Sequence, residues 1–103
     1  MEILDLSRLQ AADFERFLND GAFEIRFTGD IAERASLVQV NRLSHYSPLE
    51  RTPFSMVFRT APGAVIFSQG IYRMSCPELG TFDLFLVPIA SDSTGVSYEA
   101  VFS

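Results

Sequence analysis

Several residue types are absent or scarce in this chain of 103 residues, and each scarcity excludes a class of partner or site. There is no lysine and no tryptophan, and the eight basic residues are all arginine. These arginines are scattered along the chain, which has a formal net charge of -5 at pH 7. Because binding to nucleic acids or to anionic membranes needs clustered positive charge, we expect neither nucleic acid nor membrane as a partner.

Cysteine and histidine each occur once, as Cys76 and His45. A single cysteine cannot form an intramolecular disulfide, so the fold does not depend on an oxidising compartment. One histidine and one cysteine cannot supply the nitrogen and sulfur ligands that zinc prefers, and no glycine-rich phosphate-binding loop occurs. The sequence therefore predicts no metal site and no cofactor.

Long apolar segments are missing as well. No window approaches the roughly 18 apolar residues of a membrane-spanning helix, and the first ten residues lack the basic and apolar regions of a secretory signal. We therefore expect a cytoplasmic protein, with export by association with a partner left open. A hydrophobic fraction of 48%, with ten phenylalanines, predicts a real core and one folded domain over residues 1–103.

Apolar residues near the N-terminus recur at the spacing of a helix face. They are Leu6, Leu9, Phe14, Phe17 and Leu18. This pattern predicts one amphipathic helix over Asp5 to Leu18, with a break near Gln10 to Asp13 left open. The run Asn19-Asp20-Gly21 predicts where the helix ends, because glycine tolerates the left-handed backbone conformation.

After the helix the hydrophobic period changes to two, which is typical of strands with one buried face. The predicted strands are Ala22 to Thr28, Ala35 to Leu43, Phe54 to Arg59, Val65 to Ser75, Thr81 to Ile89 and Val96 to Phe102. Turns containing proline or glycine separate most of them. The sequence thus predicts a mainly β fold, an antiparallel meander curled into a small barrel or sandwich, with the helix covering a face or plugging an end.

Three of these strands carry more specific expectations. In the second, Val38 and Val40 are expected on one face and Leu37 on the other. Gly70 in the fourth region predicts a bend, a bulge or a close approach of the backbone, because glycine packs nothing in a strand interior. The alternative of two short strands in this region stays open. The fifth strand, Thr81 to Ile89, is apolar on both faces, so we expect it to lie centrally and to be covered on both sides.

The polar, proline-bearing segment from Ser44 to Pro53 is the most plausible functional loop. Its candidate ligand-contact or partner-contact residues are His45, Tyr46, Glu50 and Arg51. Catalysis by a nucleophile requires a base that reaches it and is itself oriented, and neighbours in sequence such as Ser44 and His45 rarely meet that geometry. The sequence therefore predicts no catalytic residue.

Other polar residues have structural explanations that we prefer. Asp92, Ser93 and Thr94 offer oxygen atoms for calcium, yet the segment lacks the acidic density of a calcium loop, so Asp92 is expected to stabilise a turn. The carboxylates of strand residues are expected on the solvated face of the sheet, and Cys76 is expected to be structural. Those strand carboxylates are Glu24, Asp83 and Glu99.

Five short motifs carry a resemblance to a known family. They are Pro53-Phe54-Ser55-Met56-Val57-Phe58, Gln69-Gly70-Ile71-Tyr72, Pro77-Glu78-Leu79-Gly80, Leu84-Phe85-Leu86-Val87-Pro88 and Tyr98-Glu99-Ala100-Val101-Phe102. Together they resemble a small bacterial family that is itself a domain of unknown function. The resemblance is close over the C-terminal half and loose before it. It implies a mainly β domain of about this length, supplies no catalytic residues, and points to phage-tail-like assemblies as a context.

Two functions are compatible with these observations. The first is a non-enzymatic structural or protein-interaction module that joins a larger assembly through an exposed strand edge or a phenylalanine-rich surface. The alternative is a small-molecule-binding β domain or weak hydrolase, with a pocket at the mouth of the curled sheet near the 44–53 loop. The absence of lysine and the low charge of Leu84 to Ile89 also predict a homo-oligomer.

Overall fold

The computed structural model describes residues 3–4, 9–43 and 53–102. These residues form one short helix and six strands, of which β5 is the longest. The elements are α1 (Ala11–Glu15), β1 (Phe23–Arg26), β2 (Ala32–Arg42), β3 (Phe54–Thr60), β4 (Gly70–Cys76), β5 (Gly80–Asp92) and β6 (Gly95–Phe102).

The six strands close into an antiparallel barrel in the order β1-β2-β3-β6-β5-β4. Closure depends on the short strand β1, which pairs with β2 along one side and with β4 along the other. The predicted C-terminal hairpin is confirmed, since β5 pairs with β6 across the turn at Ser93 and Thr94. The mainly β fold class is therefore confirmed, and the barrel is the form that the chain adopts.

Alternating side chains of the strands fill the inside of the barrel. On β3, for example, Phe54, Met56 and Phe58 point inward and are fully buried. Burying one such side chain contributes roughly 1.5–3 kcal/mol relative to leaving it in water. The inward rows of β5 and β6 add Phe82, Leu84, Leu86, Val96, Tyr98, Ala100 and Phe102.

An aromatic ring occupies each end of the barrel. At the end where β3 begins, α1 inserts Phe14, whose ring centroid lies 5.7–6.0 Å from those of Phe54, Phe82 and Phe102. The opposite end, where β4 begins, holds Phe67, stacked 4.3 Å from the ring of Phe27. The helix thus plugs one open end, as one of the two predicted arrangements requires.

The helix is shorter than the sequence predicts. Gln10 has extended backbone angles, and its N–H donates to the Asp13 carboxylate at 2.7 Å, so the helix begins at Ala11. The predicted part from Asp5 to Arg8 lies outside the described residues. Asn19, with φ of 63°, provides the left-handed residue after the helix, within the predicted Asn19-Asp20-Gly21 stop.

The predicted facing of β2 is wrong, because the strand contains a bulge. Leu37 pairs with Phe58, but the next pair is Gln39 with Val57, which leaves Val38 as an extra residue. One extra residue reverses the alternation beyond it. Leu37 is therefore fully buried and Val40 packs against the same core, whereas they were expected on opposite faces.

The expectation for β4 holds in part, and the expectation that β5 is covered on both faces is wrong. Residues 64–68 form a loop instead of a strand, the chain bends at Gln69, and β4 begins at Gly70, so the expected bend lies at the start of β4. On β5 the outward side chains Phe85 and Ile89 are about half exposed, at 52% and 50%. A barrel wall has one inner face, and no described layer covers the outer face of β5.

Closure of the barrel limits the two surfaces that were expected to recruit a partner. Every described strand has a neighbour on each side, and an unpaired edge remains where a strand overhangs its neighbour, as in β5, whose pairs with β4 end at Leu86. The phenylalanines fill the core instead of forming a surface, and only Phe85 among the described ones is a large exposed side chain. The buried ones are Phe14, Phe17, Phe23, Phe27, Phe54, Phe58, Phe82 and Phe102.

Candidate functional site

The β2–β3 connection contains the residues that the sequence predicts as a contact site. All four of these residues lie outside the described residues: His45, Tyr46, Glu50 and Arg51. The ends of the connection are joined, since the Leu43 N–H donates to the Pro53 carbonyl oxygen at 2.8 Å. The connection thus leaves and re-enters the barrel at one place, and its contact role stays a prediction.

A cleft of about 420 Å³ opens on the outer wall formed by β2 and β3, and we call it the outer cleft. The segment before β1 forms one rim, and the turns that follow β3 and β5 form the other. Its polar lining comes from Asn19, Arg34, Ser36, Arg59, Thr60 and Thr94. The cleft brings together side chains from four separate stretches of the chain.

Two arginines of the outer cleft are held by neutral oxygen atoms. The Arg34 guanidinium donates to the Gly21 carbonyl oxygen at 2.8 Å, and Nε of Arg59 donates to Ser97 Oγ at 3.5 Å. The ion pairs found among the described residues use other arginines, namely Arg26, Arg42 and Arg73. Within the described part of the chain, neither arginine of the cleft forms an ion pair.

A second surface lies on the outer faces of β4, β5 and β6, and we call it the outer apolar stripe. Its members are Ile71, Phe85, Ile89 and Val101, between 50% and 73% exposed. Ile71 and Phe85 are direct cross-strand partners. The next pair on the same outer face is Arg73 with Asp83, whose side chains form an ion pair at 3.0 Å. An ion pair whose two charges neutralise each other thus borders the stripe.

The strand carboxylates occupy solvated positions, as expected. Glu24 lies 3.6 Å from the Arg26 guanidinium, and Asp83 binds Arg73. Among the described residues, no group of three or more histidine, cysteine, aspartate or glutamate side chains is placed to hold a metal ion. Cys76 is buried, which agrees with the structural role predicted for it.

Asp92 has the turn-stabilising role that the sequence predicts. Its carboxylate accepts hydrogen bonds from the hydroxyl and from the backbone N–H of Thr94, the latter at 2.8 Å. These bonds favour the charged carboxylate and lower its pKa, with a smaller effect from the charge of Arg59. The Arg59 guanidinium is therefore close enough to Asp92 to interact with it, although the two form no ion pair.

Tyr98 carries a polar group into the interior of the barrel. The phenol is fully buried, and its oxygen accepts a hydrogen bond from the Phe67 N–H at 3.0 Å. Burial disfavours the phenolate and raises the pKa of Tyr98. This hydrogen bond holds the loop before β4, whose Phe67 ring closes one end of the barrel. We therefore assign Tyr98 a structural role.

The sequence contains little that could have indicated the outer cleft. Arg34 and Arg59 are 25 positions apart and occur in no motif. Arg34 and Arg59 lie on the same barrel wall because β2 and β3 pair there. In that register Ser36, two residues after Arg34, lies opposite Arg59, before the bulge at Val38. Arg34 lies outside the predicted second strand, and Ser36 shares the predicted face of Val38 and Val40, so alternation alone does not place either of them beside Arg59.

No helix in the described ranges has the length and apolar character needed to cross a membrane. A search of curated proteins and a search of solved structures each returned no match. A family profile described as a domain of unknown function, DUF6916, matches residues 9–102. This match covers nearly the whole chain, including the helix and all six strands, and the chain therefore belongs to the DUF6916 family.

Proposed function

We propose that this chain is a non-enzymatic protein-interaction module of the bacterial cytoplasm that joins a multi-protein assembly, of which a phage-tail-like structure is one example. The observation that carries the proposal is the outer apolar stripe. Single exposed apolar residues are ordinary on protein surfaces, whereas exposed apolar side chains on three adjacent strands are typical of an interaction surface. We propose that this barrel wall, and not the strand edge considered from the sequence, contacts the partner.

The first partner that we propose for the stripe is a second copy of the chain. Arg73 and Asp83 border Ile71 and Phe85, and these two charges already neutralise each other. Two stripes can therefore approach face to face without repulsion between those bordering charges.

The test is sedimentation of the purified chain over a range of concentrations, combined with substitutions in the stripe. We expect a dimer or higher oligomer that Phe85→Ser and Ile71→Ser each dissociate. Val65→Ser is the matched control, because Val65 is 64% exposed but lies on the loop before β4, outside the stripe. A monodisperse monomer that also captures no partner in lysate pull-downs would contradict the proposal.

The alternative function is a small-molecule-binding β domain or weak hydrolase with its pocket near the 44–53 loop. That hypothesis depends on His45 and Tyr46, which lie outside the described residues. Thermal-shift measurements across a metabolite panel test it. If His45→Ala and Tyr46→Phe leave every ligand-induced shift unchanged, this alternative loses its support.

A further inference from the structure

We infer that the outer cleft binds the oxyanion group, a carboxylate or a phosphate, of a small molecule. The site is independent of the proposed function, because it lies on β2 and β3 whereas the outer apolar stripe lies on β4, β5 and β6. Its volume of about 420 Å³ falls within the range of small-molecule sites. The inference rests on the charge, the hydrogen-bonding groups and the backbone geometry of the cleft.

The charge of the cleft is positive in a protein that is otherwise acidic. The whole chain has a formal net charge of -5, yet Arg34 and Arg59 both line the cleft, and no described carboxylate forms an ion pair with either. Each guanidinium uses one described hydrogen bond out of five N–H donors. Several donors on each side chain are thus available to the two oxygens of a carboxylate or to a phosphate.

Both guanidinium groups are positioned by the fold. Arg34 is fixed by its hydrogen bond to the Gly21 carbonyl oxygen, and Arg59 by its contact with Ser97 Oγ. The aliphatic stem of Arg59 also lies across Gly95, where a Cβ would be 3.1 Å from its Cγ. A group that is already ordered loses less entropy on binding, so the arrangement favours a ligand.

Neutral donors complete the lining of the cleft. The Ser36 hydroxyl lies on the strand position directly opposite Arg59, and the Asn19 side-chain amide comes from the rim before β1. The Thr94 hydroxyl on the other rim already donates to Asp92 and can act only as an acceptor. Asn19 adopts φ of 63°, a left-handed conformation that is uncommon for residues other than glycine. Its N–H donates to the Leu37 carbonyl oxygen at 2.6 Å, which holds this conformation beside the cleft.

Two carboxylates limit the positive charge of the site. Glu24 is the cross-strand partner of Arg34, although it lies 3.6 Å from the Arg26 guanidinium and forms no ion pair with Arg34. The Asp92 carboxylate interacts with Arg59 at longer range, but its hydrogen bonds go to Thr94 within the turn. An oxyanion in the cleft would therefore compete for Arg59 with the Asp92 carboxylate, which already accepts two hydrogen bonds from Thr94. We expect Asp92 to weaken binding without preventing it.

The experiment is titration of the full chain with inorganic phosphate, with succinate and with chloride, monitored by calorimetry and by two-dimensional amide NMR. Phosphate and succinate distinguish the two sources of the oxyanion, and chloride controls for ionic strength. We expect saturable binding of at least one oxyanion, with the largest shifts at the amides of Ser36, Arg59 and Thr94. Arg34→Gln and Arg59→Gln should each weaken binding by about tenfold or more.

Arg26→Gln is the matched control. Arg26 donates to the Gly29 carbonyl oxygen, as Arg34 does to that of Gly21, but it does not line the outer cleft. It should leave the affinity within about twofold, a small change on the free-energy scale. The inference is overturned if neither oxyanion binds with a Kd below about 1 mM, or if Arg26→Gln weakens binding as much as the cleft variants. Amide spectra that match the parent fold confirm that each variant is folded.

Discussion

The backbone N–H of Phe67 donates to the buried hydroxyl of Tyr98 at 3.0 Å, and this bond ties the loop before β4 to the middle of β6. Phe67 then stacks on Phe27, so the loop closes one end of the barrel. A loop that the sequence predicts as strand closes the barrel end because two phenols bind its backbone, Tyr98 at Phe67 and Tyr72 at Ser68. Its contribution to stability can be measured directly.

Tyr98→Phe should destabilise the fold by about 1–2 kcal/mol, because the Phe67 N–H loses its acceptor at a partly buried position. Tyr72→Phe is the matched control, since the Tyr72 hydroxyl donates to the Ser68 carbonyl oxygen at an exposed position. We expect the control to cost less than about 0.5 kcal/mol in urea unfolding. Equal losses in the two variants would contradict the role assigned to Tyr98.

The same phenol predicts a loss of stability at alkaline pH. Burial raises the pKa of Tyr98 in the folded chain, whereas an unfolded tyrosine has a pKa of about 10. The stability from the neutral phenol is fully present below pH 10 and is lost as pH rises through the folded pKa. The unfolding free energies of the parent and of Tyr98→Phe should therefore converge above about pH 10. A difference that does not change with pH would show that folding leaves the pKa of this phenol unchanged.

Gly95→Ala should be among the most damaging single substitutions. Gly95 has φ of 132°, and a Cβ there would overlap the Thr60 carbonyl oxygen, which belongs to the backbone and cannot rotate away. We expect a loss of at least about 3 kcal/mol in chemical unfolding. Gly63→Ala is the control, because Gly63 also has a positive φ of 83° but no atom within 4 Å of its Cβ position.

The Gly63 variant should lose only the conformational cost of a left-handed residue, about 1–2 kcal/mol. If the two alanine variants prove equally stable, the close approach of β6 to the end of β3 is not what requires glycine at position 95. Amide spectra of both variants would show whether any loss is confined to the turn.

Phe14→Ala should remove the plug at the other end of the barrel. The Phe14 ring is fully buried against Phe54, Phe82 and Phe102, so truncation leaves a cavity and should cost about 3–5 kcal/mol. Phe85→Ala removes the same atoms from a half-exposed position and should cost under about 1 kcal/mol. Both are measured at low protein concentration, where self-association adds no stability. A mild effect of Phe14→Ala would mean that the helix is dispensable to the barrel.

Asp92→Asn should alter the dependence of stability on acid pH. The hydroxyl and then the N–H of Thr94 lower the pKa of the Asp92 carboxyl in the folded chain. Its contribution is present above the unfolded value of about 3.9 and is lost as pH falls through the lower folded pKa. The difference in unfolding free energy between parent and variant should therefore shrink below about pH 4. A difference that grows in acid would reverse the assigned role.

The local pattern of the sequence determined the fold class and most of the elements. The inward row Phe54, Met56 and Phe58, the hairpin of β5 and β6, and the turn role of Asp92 all follow from interactions between near neighbours. The family resemblance was likewise carried by short contiguous motifs and is confirmed by the match over residues 9–102.

Tertiary structure alone decided which side chains share a surface. Closure through β1, the bulge at Val38 and the register of Ser36 with Arg59 depend on pairing between distant segments, which alternation within a single strand does not specify. Closure also left Phe85 facing outward, although an open sheet with two covered faces would have buried it. The outer cleft and the outer apolar stripe exist because the strands wrap around one core, so that each strand has an inner face and an outer one.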